Sequence, residues 1–259
     1  MPTATSSPPS PRGGALVTGA GRRIGRVLAL EAARAGYDVA VHYRSARDEA
    51  EVVVAEIAAL GRRAVAVQGE LSDPGIGAAL VGAAAGAVGP LTLLVNSAST
   101  FEDDRIGAVT ADSWDRHMDA NLRAPVLLAQ AFAAALPAET KGLVVNLVDQ
   151  RVLKPNPQFF SYTVSKAGLW WATQTLAQAL APAVRVNAIG PGPVLASVHQ
   201  APGEFEAEAA ATPLGAAVDP AELAAAMRYL IDAPSVTGQM IAVDGGQHLA
   251  WRTPDVLGS

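Results

Sequence analysis

A doubly wound α/β fold, one sheet of about seven mostly parallel strands with helices on both faces, is what this sequence predicts. Three observations carry the prediction. Short β-branched runs alternate with longer stretches of helical periodicity from Gly14 to Val243. Most of the runs are apolar almost throughout, as strands are when helices cover both faces of a parallel sheet. The first run also ends in a glycine-rich turn that opens a helix, and such sheets bind ligands beyond the carboxyl ends of their strands.

The elements follow in order. "GALVTGA" is the first strand, and a helix from about Ile24 to Ala35 is closed by Gly36. "YDVAVHY" is the second strand, followed by a helix near residues 46–60 and a third strand, "AVAVQ". A helix near 74–87 leads to "LTLLVN", and one long helix over about 112–136 leads to "GLVVNLV". The pattern closes with a helix from roughly Ser161 to Leu180, the strand "VRVNAI", a helix near 219–232 and the strand "MIAV".

No boundary-like linker interrupts the 259 residues, so residues 13–259 read as a single domain. The Pro-, Ser- and Gly-rich stretch over residues 1–12 is expected to be a disordered tail, without the apolar core of a secretory signal. A formal net charge of -5 gives no electrostatic footprint for nucleic acid or an anionic membrane. With no cysteine there is no disulfide or thiolate metal site, and His42, His117, His199 and His248 lack ligand spacing, so no metal is expected. His117 and His199 are expected on helix surfaces or in the lid near 195–214 rather than in catalysis. The longest apolar region, 78–95, is broken by Gly86, Gly89 and Pro90, so a soluble, cytoplasmic protein is expected.

The turn "TGAGRRIG", Thr18 to Gly25, offers tight turning at Gly19 and a helix start near Arg23 and Ile24 to a pyrophosphate. An NAD site would place an acid at the end of strand two, but here the strand ends His42, Tyr43, Arg44, Ser45. Arg44 and Arg23 suit a 2′-phosphate, which favours NADP(H); the competing view makes Arg22, Arg23 and Arg44 a solvated basic surface.

"SYTVSK" puts Tyr162 and Lys166 on one helix face, thirteen residues after the carboxylate of Asp149 that ends strand five. A buried acid there is either a substrate and proton-transfer group or a turn cap, a common role for Asp. Phe101, at the mouth of strand four, is either a stacking platform for a flat ligand or a loop aromatic packed on the core. Asn121 is unfavourable mid-helix, which points to a role in holding backbone or water near Lys166.

These residues carry a family resemblance. "TGAGRRIG", "NSAS" at 96–99, Asn121, "YTVSK", "RVNAIGPGPV" and "VDGG" at 243–246 resemble the short-chain dehydrogenase/reductase family, whose fold is Rossmann-type. Most members have Ser where Asp149 stands and a glycine where Arg23 stands. Together with "HYRS" and "NSASTF", those departures resemble the pteridine reductase branch, which includes bacterial dihydromonapterin reductases. The resemblance implies NADPH-dependent reduction of a dihydropterin, and possibly of dihydrofolate, with a pterin stacked on Phe101. It implies that Asp149, Tyr162, Lys166 and Asn121 are catalytic and that Lys166 lowers the Tyr162 pKa. Asn96, Ala98 and Ser99 would line the nicotinamide side, with Ser99 also open to the substrate, while Glu70 and Leu71 would lie near adenine. Pro191, Gly192 and Val194 would pass the carboxamide. A substrate lid is expected near 195–214, Trp170 and Trp171 are expected in core or interface packing, and a homotetramer is the family expectation. The rivals are a carbonyl reductase of the same family and, from another class, a non-catalytic NADP-binding regulator.

Overall fold

A computed structural model describes residues 12–197 and 200–251. The expected tail lies outside the described residues except for Arg12, which is fixed: its N–H donates to the Gly36 carbonyl at 3.0 Å and its guanidinium reaches Asp232 at 2.8 Å. Val198 and His199 of the expected lid also lie outside them.

Seven strands pair in parallel in the order β3-β2-β1-β4-β5-β6-β7. They are β1 (Gly14–Val17), β2 (Asp38–Tyr43), β3 (Ala64–Gln68), β4 (Leu91–Asn96), β5 (Gly142–Leu147), β6 (Val184–Pro191) and β7 (Met240–Val243). The connecting helices are α1 (Arg23–Arg34), α2 (Arg47–Ala59), α3 (Ile76–Val88), α4 (Ala111–Met118), α5 (Ala124–Ala135), α6 (Phe160–Leu180), α7 (Glu204–Ala210) and α8 (Pro220–Asp232). Among the described residues, no helix is long and apolar enough to cross a membrane.

Side chains alternate across a strand, and the two faces fill two cores. Ala15 and Val17 of β1 pack with α1, α2 and α8, whereas Leu16 packs with α3 and α5. Strands β2 and β5, inside the sheet, are buried along their whole length; the edge strands β3 and β7 are partly exposed. The chain lays β2 and β3 on one side of β1 and then returns to place β4 on the other. A crevice therefore opens between the carboxyl ends of β1 and β4.

Two expectations change here. The single helix expected over 112–136 is three segments, α4, a wide π turn over Asp119–Arg123, and α5. Such turns inside helices are rare and frequently mark functional sites, and this one carries Asn121. His117 is not on a helix surface. It is fully buried near the end of α4.

Candidate active site

The crevice has a floor built from backbone. Gly19 sits at φ +63, in the left-handed region, and a Cβ there would lie 2.8 Å from the Ala98 Cα. A Cβ on Gly25 would come within 2.2 Å of the Gly19 carbonyl oxygen, so α1 packs against the loop only without a side chain. Thr18 clips the two strand ends together, its hydroxyl oxygen accepting from the Ser97 and Ala98 amides at 3.0 and 3.1 Å.

Beneath this loop His42 is buried. Its Nδ1 accepts from the Gly19 amide at 3.1 Å, which leaves Nε2–H to donate to the Gly69 carbonyl at 3.1 Å. Burial pushes its pKa down to about 4, against the Gly69 carbonyl and the Glu70 charge, which raise it. His42 thus touches the loop from below, and Tyr43 is buried beside it. Arg44 is exposed at the end of β2, followed by Ser45 in the turn to α2. Arg23 occupies the left-handed region at φ +53, which explains why a glycine is the common residue at that position in the family it resembles. Its guanidinium donates to the Ala196 and Leu195 carbonyls at 2.9 and 3.1 Å, tying the loop to the segment after β6.

The residues present fit a dinucleotide. The start of α1 faces the crevice, no acid ends β2, and the buried Asn96 Oδ1 has no hydrogen-bond partner among the described residues while its Nδ2 donates to Asn146. Ile24 and Val194 pack against the core beneath the loop, and Gly192 allows β6 to pass within reach of Asp244, where a Cβ would lie 2.6 Å from its Cα. Pro191 ends β6. Glu70 turns to its own loop, accepting from the Ser72 amide at 3.2 Å, and Leu71 is buried in the core.

The opposite wall is built from side chains. Asp149, partly buried, is a turn cap that also meets the phenol: Oδ1 accepts from the Arg151 amide at 2.8 Å, capping a short helical turn, and Oδ2 accepts from the Tyr162 hydroxyl at 2.8 Å. Burial raises the Asp149 pKa above the ordinary carboxylate range, against the Arg151 amide and the charges that lower it. Burial, and next the Asp149 charge, raise Tyr162 well above the usual phenol value. This corrects the expectation that Lys166 lowers it. The Lys166 ammonium donates to the Leu147 carbonyl at 2.7 Å and lies 5.8 Å from the Tyr162 ring centroid, and the charge next to the phenol is the carboxylate's. Burial lowers Lys166 itself to about 8. The phenol hydrogen thus lies between Tyr162 Oη and Asp149 Oδ2.

Asn121 holds backbone. Its Oδ1 accepts from the Thr100 amide at 2.8 Å and from the Ser99 hydroxyl at 3.2 Å. Its Nδ2 donates to the Thr100 carbonyl at 2.9 Å and to Ser165 of α6 at 3.1 Å. The wide π turn thus pins the loop after β4 to the helix that bears Tyr162. Phe101, in that loop, lies face to face with Phe159, centroids 4.2 Å apart and planes 9° from parallel, and edge-on to Tyr162 at 4.7 Å. One face expected for a ligand is therefore taken by the chain's own Phe159.

Sequence reasoning passed over Phe159 and Arg151. Phe159 is held at φ +52, rare for a bulky residue, with the Arg151 guanidinium 5.1 Å above its ring. The aromatic pair in "QFFSY" just before Tyr162 was the available signal.

A tyrosine sharing its proton with a strand-end acid, set across a crevice from a glycine-built loop, defines an oxidoreductase of the short-chain type. The chain belongs to the short-chain dehydrogenase/reductase family: the family model described as enoyl-(acyl carrier protein) reductase matches residues 19–248. Among solved structures it is similar to FolM alternative dihydrofolate reductase 1 from Brucella suis in complex with NADP. The two are 49% identical with a TM-score of 0.91, over 95% of this chain and 98% of that one. It is also similar to the 3-oxoacyl-[acyl-carrier-protein] reductase FabG of Staphylococcus aureus, 32% identical over 240 residues, 91% of this chain and 98% of that protein. A third likeness is to the angucycline C-6 ketoreductase LanV with bound NADP, 30% identical with a TM-score of 0.82, over 93% of this chain and all of that one.

Proposed function

We propose that this chain reduces a pteridine, a dihydropterin such as dihydromonapterin or a dihydrofolate, with NADPH. The observation that carries the reading is the 2.8 Å hydrogen bond from the Tyr162 hydroxyl to Asp149 Oδ2. Reducing a ring C=N bond needs a hydride on carbon and a proton on nitrogen, and bound NADPH would supply the hydride. The proton would come from Tyr162 Oη, with Asp149 Oδ2, whose pKa burial raises, beside it to share or pass it on. Asp149 also offers a carboxylate to the N–H groups of a pterin edge, and hydrogen bonds to a charged acceptor are about twice as strong as neutral ones. A ketone would gain little there, because an ionised acid repels the developing alkoxide.

Phe101 would stack a flat heterocycle on the face that Phe159 leaves, since its ring already stacks face to face with one aromatic. Arg44, with no acid at the end of β2, would meet the 2′-phosphate, and Lys166 would hold the nicotinamide ribose. Residues 195–214, which include α7 and are tied to the loop through Arg23, would form the lid. Trp170 packs in a small core cluster while Trp171 on the same helix is 68% exposed, which suits a subunit contact in a homotetramer.

The second reading is a carbonyl reductase, favoured by the FabG likeness over nearly the whole chain. Oxidation of NADPH is measured with dihydromonapterin, dihydrobiopterin and dihydrofolate against a panel of ketones and quinones. The expected result is turnover of a pteridine that falls roughly a hundredfold or more in Asp149→Ser. Turnover of ketones alone, indifferent to that substitution, would replace the pteridine reading with the second one. NADPH binding without turnover of either class would instead revive a regulator.

A further inference from the structure

Behind the substrate wall lies a buried polar cluster that the proposed reaction does not use. Asp104 Oδ1 accepts from the Ser161 amide at 2.9 Å, and its Oδ2 accepts from the Ser161 and Ser113 hydroxyls at 2.5 and 3.0 Å. His117 Nδ1 is 2.6 Å from the Ser161 Oγ and 2.9 Å from the Ser113 carbonyl, and His117 Nε2 is 3.2 Å from the Glu102 amide nitrogen. All four side chains are buried.

Only one tautomer satisfies these contacts. The Glu102 N–H can only donate, so Nε2 accepts and Nδ1 carries the hydrogen, shared between the Ser113 carbonyl and Ser161 Oγ. Ser161 then passes its own hydrogen to Asp104. Glu102 immediately follows Phe101, and Ser161 immediately precedes Tyr162. The cluster therefore fixes the aromatic of the substrate wall relative to the phenol.

We propose that His117 is a positioning residue: as an Nδ1–H imidazole it pins the loop carrying Phe101 to the start of the helix carrying Tyr162, and loss of that link loosens the loop and weakens substrate binding. The groups facing the ring are known from each element. Asp104 lies beyond Ser161; burial raises its pKa, but the Ser161 hydroxyl and amide outweigh this and hold it below the ordinary value. From α6 come Ser161 and the Tyr162 ring, 6.2 Å away. From α4 itself comes Ser113, while the Glu102 carboxylate turns outward to Arg116 at 2.8 Å.

The consequence for substrate rests on the pteridine reading; the consequence for the loop does not. Hydrogen exchange of the peptide spanning residues 100–105 is followed by mass spectrometry on the full chain, as protection factors, and the KM and kcat for a dihydropterin are measured on the same proteins. His117→Ala removes the acceptor, whereas His117→Gln keeps one, because its Oε1 can accept from Glu102 in place of Nε2. In His117→Ala protection should fall and KM should rise about tenfold, the size of one buried hydrogen bond, with kcat nearly constant. In His117→Gln both should stay close to the parent's. Unchanged protection in His117→Ala, or the same loss in His117→Gln, overturns the proposal. Absence of pterin turnover in every protein would count against the pteridine reading alone, with the exchange data still deciding the role of His117.

Discussion

The two walls of the crevice are built by opposite means and rest on similar supports. The phosphate-loop wall is backbone, shaped by Gly19 and Gly25, while the facing wall is a set of side chains, Asp149, Tyr162, Asn121 and Phe101. Under each sits a buried histidine whose ring accepts a backbone amide from the loop above, Gly19 for His42 and Glu102 for His117. A backbone wall tolerates no added atom yet asks little of chemistry. A wall of side chains tolerates reshaping but loses its reaction when one proton is misplaced. The same imidazole device serves both because it takes an N–H that no strand or helix partner satisfies.

The largest effect should come from the side-chain wall. Tyr162→Phe removes the shared proton and should lower kcat by about 10² to 10⁴, with NADPH affinity and melting temperature close to the parent's. A variant that keeps within tenfold of the parent rate would mean that Asp149 reaches the substrate unaided, and the contrast between the walls would lose its chemical half.

Acid should strike the backbone wall next. His42 has a folded pKa depressed to about 4, so its contribution is complete above the unfolded imidazole range and is lost as pH falls from about 6.5 toward 4. The loss is on the order of 3 kcal/mol. Urea unfolding at intervals across that window should show the decline, and His42→Asn, whose Oδ1 can accept from Gly19 without titrating, should decline less. Parallel curves for the two proteins would show that the phosphate loop does not depend on a neutral ring.

A smaller effect sharpens the comparison from the steric side. Gly25→Ala places a methyl against the Gly19 carbonyl, so the loop must shift; overpacking of this kind typically costs about 1–3 kcal/mol. Cofactor affinity should fall along with stability, read by NADPH titration and thermal unfolding. An Ala variant that binds NADPH as the parent does would show that the loop has slack the spacing of its atoms denies.

Much of this was legible in the residues. Apolar runs with β-branched residues placed β3, β4 and β7 at the positions found, even though β3 and β7 prove to be the partly exposed edges of the sheet. Glycines at the first turn announced the backbone wall, because their positions are demanded by local sterics. Asp149, Tyr162 and Lys166 were legible as a set through spacing, but the direction of the Tyr162 shift was not. It depends on which charge lies within hydrogen-bond reach, and Lys166 instead caps the Leu147 carbonyl. The π turn was illegible for a similar reason: propensity over 112–136 is helical throughout, and the extra residue at Asn121 is selected by contacts with Thr100 and Ser165.

By itself, then, the chain's order of residues determined the layered sheet, the glycine loop and the identity of the acid and phenol, all matters of short-range sterics and hydrophobic period. Tertiary structure alone decided what each polar group bonds to. Phe101 found Phe159, Arg23 found the carbonyls of Leu195 and Ala196, and His117 found Glu102 and Ser161, across separations of up to 173 residues. A buried donor or acceptor must be satisfied by whatever the completed fold brings beside it, and no local pattern records that choice.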